Sequence, residues 1–194
     1  MKLVLASTSP RRAEILRDAG LSFAVVSSAV DETAYPGEAP QTLLQRLADA
    51  KADLVAARAV GPVIVIAADT AVVLDGQVLG KPRSTDDARH MLEQLSGRTH
   101  SVLTGVSLIR LPDAERLHFV ETTLVHFSQV TADEISQYLA TEEPYDKAGS
   151  YAIQGRAGRY IPRIEGCYYN VVGLPLAHLL AALRELGWTD CDSM

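Results

Sequence analysis

The chain is poor in cysteine and has no long hydrophobic run. Its 194 residues include only Cys167 and Cys191, which form no CxxC pair, so neither a zinc motif nor a disulfide framework is indicated. No segment approaches the roughly 20 consecutive apolar residues that a transmembrane helix requires. The apolar start of the chain is also too short for a secretory signal, and arginines follow it. We therefore expect a cytoplasmic globular protein with no membrane partner.

Excess positive charge is lacking as well. The 18 lysines and arginines are outnumbered by 24 aspartates and glutamates, which gives a net charge of −6, and aromatic residues make up only 6%. A nucleic-acid-binding surface needs a basic stripe or a set of stacking rings. We therefore predict no general nucleic-acid binding, although a local basic site can exist within an acidic surface.

Several catalytic motifs are absent. The sequence has no HExxH, GxxxxGK[ST] or GxSxG segment, which leaves zinc protease, P-loop NTPase and α/β-hydrolase interpretations without support. No histidine has metal-ligand spacing to another, so we expect all of them to be structural or exposed. They are His90, His100, His118, His126 and His178.

The hydrophobic pattern predicts an α/β fold. Strand-like and helix-like segments alternate early in the chain, and two long β patterns follow at residues 101–111 and 117–127. An apolar stripe predicts a helix over residues 41–59. We expect one domain over residues 1–194, with a mixed, twisted sheet flanked by helices.

The functional prediction centres on the stretch VIVIAADT at residues 63–70. Its β-branched apolar run predicts a strand covered on both faces, which we expect to end at Asp69 and Thr70. A carboxylate at the end of a buried strand is costly unless a metal, a cation or a substrate proton uses it. The alternative is an ordinary aspartate that closes a strand and begins a turn.

A second polar cluster lies at a predicted strand-to-helix turn near the N-terminus. Arg11 and Arg12 in the first helical turn oppose the helix dipole, which favours anions at that end. A bound phosphate would reconcile these charges, with Ser7 and neighbouring hydroxyls as further donors. The alternative is a solvated helix start in which Arg11 pairs with Glu14.

Lysines and a further acid can complete a phosphate site. Lys51 falls on or beside the inward stripe of its helix, where it needs an acid or a phosphate, unless it snorkels to the surface. Lys81 lies in a loop, with simple exposure as the alternative. Glu32 could join Asp69 as a ligand of Mg²⁺ or Mn²⁺.

A glycine-rich loop supplies a third cluster. Gly149 and Gly155 bracket a strand-like piece, and the Gln154 amide offers a donor and an acceptor that can match the edge of a base. The alternative is an ordinary glycine-rich turn.

Together these motifs resemble the Maf family of nucleoside triphosphate pyrophosphatases, also called septum-formation-inhibitor-like proteins. The similarity runs in order through nearly the whole chain, and several separate motifs at compatible spacing argue against chance. The matching segments are STSPRR at 7–12, DE at 31–32, Lys51, ADT at 68–70, GKP at 80–82, SGRTH at 96–100, the loop at 146–155 and VGLP at 172–175.

The resemblance implies a fold related to inosine triphosphate pyrophosphatases, with a nucleotide cleft. It also implies hydrolysis of a nucleoside triphosphate to the monophosphate and pyrophosphate with Mg²⁺ or Mn²⁺. Asp69 matches the proton acceptor, although a role as metal ligand stays open. The implied catalytic residues are Asp69, Glu32, Lys51 and Lys81; the implied substrate-binding residues are Ser7, Arg11, Arg12, Thr70 and Gln154; the implied metal ligands are Glu32 and Asp69.

The loop YAIQG at residues 151–155 is similar to the dTTP/UTP branch of the family, so we expect dTTP and UTP as substrates, with CTP or modified pyrimidine nucleotides open. Two alternatives remain: a nucleotide-binding regulator of cell division that hydrolyses nothing, and the same chemistry on 7-methyl-GTP. Relatives also suggest a homodimer. Tyr168 and Tyr169 depart from the family pattern and could narrow the cleft.

Overall fold

The computed structural model describes residues 1–189, and within them it forms a mixed seven-stranded sheet. The strands are β1 (Lys2–Leu5), β2 (Phe23–Val25), β3 (Val63–Leu74), β4 (Gln77–Leu79), β5 (Thr99–Arg110), β6 (Glu115–His126) and β7 (Arg163–Glu165). The α-helices are α1 (Pro10–Asp18), α2 (Pro40–Ala56), α3 (Thr85–Leu95), α4 (Ala132–Leu139), α5 (Tyr168–Val172) and α6 (Leu176–Glu185).

The strands run in the order β2-β1-β3-β5-β6-β7, and β4 pairs with the far half of β3. The first strand is parallel to both of its neighbours, β2 and β3, whereas the other pairs are antiparallel. This confirms the predicted mixed sheet. Among residues 1–189, no helix has the length and apolar character needed to cross a membrane. Cys167 is a free thiol, and Cys191 lies outside the described residues.

Strand β3 is covered on both faces because its apolar residues do not alternate with polar ones. Even-numbered residues such as Ile64 and Ile66 pack with α1 and α6, and odd-numbered residues such as Val63 and Val65 pack against α2. A separate core between the far half of the sheet and helices α3 and α4 includes Leu74. Successive residues of β3 therefore face different helices.

The prediction that this strand ends at Asp69 and Thr70 is wrong. Strand β3 continues to Leu74, and Asp69 pairs with Gly105 of β5 in the middle of the ladder. The parallel partner β1 ends at Leu5, which lies opposite Ile66. The far half of β3 therefore projects beyond β1, so that the two polar residues lie outside the carboxyl end of a parallel pair, where ligands bind in many α/β sheets.

Helix α2 approaches β5 very closely at Gly105. A Cβ atom at this position would lie 2.5 Å from the carbonyl oxygen of Leu44, so only glycine allows the approach. Lys51 follows Leu44 by about two helical turns. The close packing therefore fixes the position of Lys51 along β3, the strand that carries Asp69. The helix ends at Ala56, three residues earlier than predicted.

Candidate active site

A cleft of about 690 Å³ lies beyond the carboxyl end of β1. Its walls come from the turn into α1, the loop before α2, the middle of β3, the loop after β4 and the segment that follows α4. All nine residues predicted for the site line this cleft: Ser7, Arg11, Arg12, Glu32, Lys51, Asp69, Thr70, Lys81 and Gln154. The sequence therefore predicted which residues converge, although their individual contacts differ from expectation.

The Lys51 ammonium is the centre of the charged part of the cleft. It donates to Asp69 Oδ1 at 2.5 Å and to Glu32 Oε1 at 2.6 Å. The Lys51 side chain is only 9% exposed and that of Asp69 17%, whereas Glu32 is 62% exposed. Lys51 thus points inward, as predicted, and its partners are two acids that come from a strand and from a loop.

Arg12 lies against the face of β3 that is opposite to the face that meets Lys51. Its guanidinium donates to Gly173 O at 2.8 Å, to Thr70 Oγ1 at 3.0 Å and to Ser7 Oγ at 3.2 Å. Burial lowers the pKa of Arg12, and the nearby carboxylate of Asp69 opposes that shift. Three of its five N–H donors therefore join α1 to the turn after β1, to β3 and to the residue that follows α5, and two are left for a ligand.

The hydroxyl of Thr70 is fully engaged by protein atoms. Besides accepting from Arg12, it lies 2.9 Å from Thr104 Oγ1 and 3.3 Å from Gly173 O. Thr70 therefore lines the cleft with a hydroxyl that protein groups already use. If Thr70 selects the substrate, it would therefore act by orienting the guanidinium of Arg12.

Arg11 spans the mouth of the cleft. Its guanidinium is 3.4 Å from Asp146 Oδ2, so the alternative pairing with Glu14 is wrong. Lys147 also contacts Asp146. Partial burial tends to raise the pKa of Asp146, but the hydrogen bond from Lys147 and the charge of Arg11 lower it overall. Both Asp146 and Lys147 were missed as site residues, although the family-like loop contains them.

Lys81 is exposed on the rim of the cleft, and no residue of the described range 1–189 pairs with its ammonium. An unpaired cation at the rim of a site that already holds Arg11, Arg12 and Lys51 is available to a polyanion. Exposure, which was the alternative for this residue, is thus compatible with substrate binding.

Gln154 is exposed at a turn that Glu143 supports from behind. The Glu143 carboxylate accepts hydrogen bonds from the backbone N–H groups of Arg156 at 2.8 Å and Ala157 at 3.3 Å, and from Tyr138 Oη at 2.8 Å. A Cβ atom at Gly155 would lie 2.2 Å from this carboxylate, which explains the glycine beside Gln154.

The predicted strand-like piece between Gly149 and Gly155 is not a strand. Residues 151–155 form turns and irregular structure, and short 3-10 helices flank them at Glu143–Asp146, Ala148–Ser150 and Arg156–Tyr160. Gly149 has φ +66° and its backbone packs on Val72, where a side chain would not fit. Turn chemistry and close packing therefore outweigh the weak alternating pattern.

The cleft-lining ring of Tyr151 is anchored by a buried histidine. Tyr151 Oη lies 2.7 Å from His100 Nε2, and burial lowers the pKa of His100 to about 4, so that the imidazole is neutral. His100 is therefore structural, as predicted. Tyr168 and Tyr169 do not line the cleft but are 42% and 41% exposed, so the expectation that they narrow it is wrong.

Two carboxylates fit a hard divalent cation here. Asp69 Oδ2 and Glu32 Oε2 accept no hydrogen bond from the described residues, while their other oxygens bind Lys51. Within residues 1–189, no group of three or more His, Cys, Asp or Glu residues could hold a metal. Mg²⁺ sites commonly combine one or two carboxylates with substrate phosphates, so this donor set suits a metal that arrives with a triphosphate.

Comparisons with known proteins identify relatives that match nearly the whole chain. The dTTP/UTP pyrophosphatase of Carboxydothermus hydrogenoformans is 47% identical over 188 residues, which cover 97% of this chain and 100% of that protein. The dTTP/UTP pyrophosphatase of Anaeromyxobacter sp. (strain Fw109-5) is 50% identical over 189 residues, which cover 96% and 90%.

Among solved structures, the Ham1 protein of Staphylococcus aureus has a TM-score of 0.52 at 15% identity, with 95% of this chain and 99% of that chain covered. This likeness concerns the fold alone and confirms the expected fold class. The family model described as "Maf-like protein" matches residues 2–186. The chain therefore belongs to the Maf-like protein family.

Proposed function

We propose that this chain is a nucleoside triphosphate pyrophosphatase that hydrolyses dTTP and UTP to the monophosphate and pyrophosphate. The observation that carries the proposal is the Lys51 ammonium held between Asp69 and Glu32 inside a cleft whose other charged residues are mainly cationic. The relatives named dTTP/UTP pyrophosphatase, at 47% and 50% identity, support the choice of substrate.

The cationic wall would bind the triphosphate. Arg11, Lys81 and the two free N–H groups of Arg12 line one cleft and can neutralise the charge that develops on phosphate oxygens in the transition state. Ser7 accepts from Arg12 and helps to fix its guanidinium. Binding of phosphate would also offer Arg11 a partner that competes with Asp146.

The acidic wall would serve the attacking water. Glu32, with or without Asp69, would hold Mg²⁺ or Mn²⁺, which when bound neutralises phosphate charge and makes a water molecule more acidic. Asp69, held by Lys51, would accept the proton as water attacks the α-phosphorus. The bond from the α-phosphorus to the bridging oxygen breaks, and pyrophosphate leaves. Lys51 would orient Asp69 rather than contact phosphate directly.

The nucleobase of the substrate would lie at the apolar end of the cleft. Tyr151, Val72 and Val102 line this end, and the exposed Gln154 amide can donate to and accept from the edge of a pyrimidine. A cytoplasmic location for this enzyme stays a prediction.

The test is a panel assay with dTTP, UTP, CTP, GTP and 7-methyl-GTP, with and without Mg²⁺, in which pyrophosphate and orthophosphate are measured separately. We expect pyrophosphate from dTTP and UTP, and a loss of about 10²–10⁴-fold in Asp69→Asn, which keeps the fold. Orthophosphate as the direct product would contradict attack at the α-phosphorus. Turnover of 7-methyl-GTP alone, or binding without any hydrolysis, would favour the two alternative functions.

A further inference from the structure

The part of the loop that carries Glu32, residues 31–38, has little packing of its own, whereas Val26 and Ser28 at the start of the loop pack against the core. Residues 26–39 contain no helix or strand, and residues 31–37 are all exposed. A loop without buried apolar contacts is held in place by its polar contacts, and without them it opens at low cost in free energy. The position of Glu32 over the cleft therefore depends on the few side chains that tie this loop down.

Arg46 of α2 makes most of these contacts. Its Nε and Nη2 atoms each donate to Glu38 at 2.7 Å, and Nη2 also donates to Thr33 O at 3.1 Å. The guanidinium lies over the Tyr35 ring, 4.1 Å from its centroid. Glu38, whose side chain is 5% exposed, additionally accepts from Tyr35 N at 3.0 Å. One side chain thus binds the loop at three successive points.

The ion pair between Arg46 and Glu38 is bidentate and therefore strong. A bidentate arginine–carboxylate pair gives two charge-assisted hydrogen bonds in a fixed geometry. The hydrogen bonds from Arg46 lower the pKa of Glu38 to about 2, so that both groups stay charged over the pH range of an enzyme assay. Lysine offers no planar fork and therefore cannot replace this contact.

Arg46 does not line the cleft, but it lies on the same helix as Lys51, five residues earlier. Thr33, which it binds, is the neighbour of Glu32. We propose that Arg46 is a positioning residue that fastens the loop 31–38 to α2 and so sets the Glu32 carboxylate against the Lys51 ammonium. The catalytic part of this inference rests on the proposed function of the site.

The first experiment compares kcat/KM for dTTP in the wild type and in Arg46→Lys. Without the bidentate pair between Arg46 and Glu38, we expect the loop to occupy its position against α2 only about a tenth of the time. The kcat/KM value then falls about tenfold, because only molecules with the loop in this position are active. Glu38→Gln removes the other half of the fork and should show the same loss. Tyr35→Phe keeps the ring under the guanidinium and is the matched control, with unchanged activity expected.

Arg116→Lys controls for the loss of an arginine that pairs with α2. Arg116 contacts Asp49 and Asp53 on this helix and touches neither the loop nor the cleft. We expect its activity to match the wild type. A loss in Arg116→Lys equal to that in Arg46→Lys would point to a general effect on α2 and would overturn the positioning role.

A double-mutant cycle tests whether Arg46 acts through Glu32. In a Glu32→Gln background the further change Arg46→Lys should leave kcat/KM unaltered, because the carboxylate to be positioned is already gone. The same tenfold factor in both backgrounds would show that Arg46 acts by another route, and the inference would fail.

A second readout does not need turnover. In Arg46→Lys the hydrogen-bonded backbone amides of Thr33, Tyr35 and Glu38 should exchange with solvent at least tenfold faster, and the Lys51 ammonium protons should exchange as fast as in Glu32→Gln. Unchanged exchange would refute the positioning role even if activity fell. If the wild type released pyrophosphate from no nucleotide, the proposed function would fail, and these exchange rates would still decide whether Arg46 seats Glu32.

Discussion

Lys51→Met offers the sharpest test of the charge arrangement in the cleft. Methionine keeps most of the length and the apolar character of the stem but removes the ammonium that binds Asp69 and Glu32. Removing one partner of a fully buried ion pair costs about 3–5 kcal/mol, since the other charge is left uncompensated. The two contacts of Lys51 differ in how far they approach that limit.

The contact with Glu32 contributes little. Glu32 is 62% exposed, and pairs with such an exposed partner are worth about 0–1 kcal/mol. Asp69 is 17% exposed and would be left largely buried, so most of the loss comes from this residue. We expect Lys51→Met to lower the free energy of unfolding by about 2 kcal/mol. For a chain of this size that corresponds to a fall in Tm of about 4–8 °C.

The assay is urea unfolding at neutral pH, followed by circular dichroism, for the wild type, both single variants and the double variant Lys51→Met/Asp69→Asn. The double variant has no uncompensated aspartate, so the loss caused by Lys51→Met should drop below about 1 kcal/mol in the Asp69→Asn background. Losses that add within about 0.5 kcal/mol would refute the reasoning, because contacting charges must couple.

Two further predictions concern the opposite face of β3 and the buried histidine. Thr70→Val removes the hydroxyl that accepts a hydrogen bond from Arg12, so we expect the free energy of unfolding in urea to fall by about 1–2 kcal/mol. We also expect a changed ratio of the kcat/KM values for dTTP and UTP. An unchanged ratio would exclude indirect substrate selection through Arg12. Burial lowers the pKa of His100 from 6.5 to about 4, so the unfolded chain binds the proton first as the pH drops. The contribution of the neutral imidazole to stability is therefore complete above pH 6.5 and declines toward pH 4 by about 3 kcal/mol. Unfolding curves of His100→Gln measured across this range should lack this contribution to the slope.

The convergence of Arg12 and Lys51 on one cleft was predictable because both residues carry strong local signals. Arginines in a first helical turn and a lysine on an inward stripe both conflict with ordinary helix preferences, and the structure places Arg12 and Lys51 in one cleft. The sheet class was predictable from the alternation of apolar patterns. The single-domain organisation stays a prediction.

The contacts themselves were not predictable from local pattern. Asp146, which faces Arg11 from 135 residues further along the chain, carries no signal beyond an ordinary acid in a loop. The fork between Arg46 and Glu38 is likewise set by how the loop folds back on α2. Such pairs depend on tertiary packing, so only the folded structure identifies them.

The arrangement of the cleft follows from the register of one strand. Consecutive residues of a strand face opposite sides, so Asp69 meets Lys51 on the α2 face while Thr70 meets Arg12 on the other. A slip of one residue would exchange these partners and remove the acid from Lys51. The pairing of Asp69 with Gly105, and the contact of Gly105 with Leu44 of α2, fix the register at this point. Gly105, which lets α2 approach the sheet, therefore keeps Lys51 beside Asp69 and Arg12 beside Thr70.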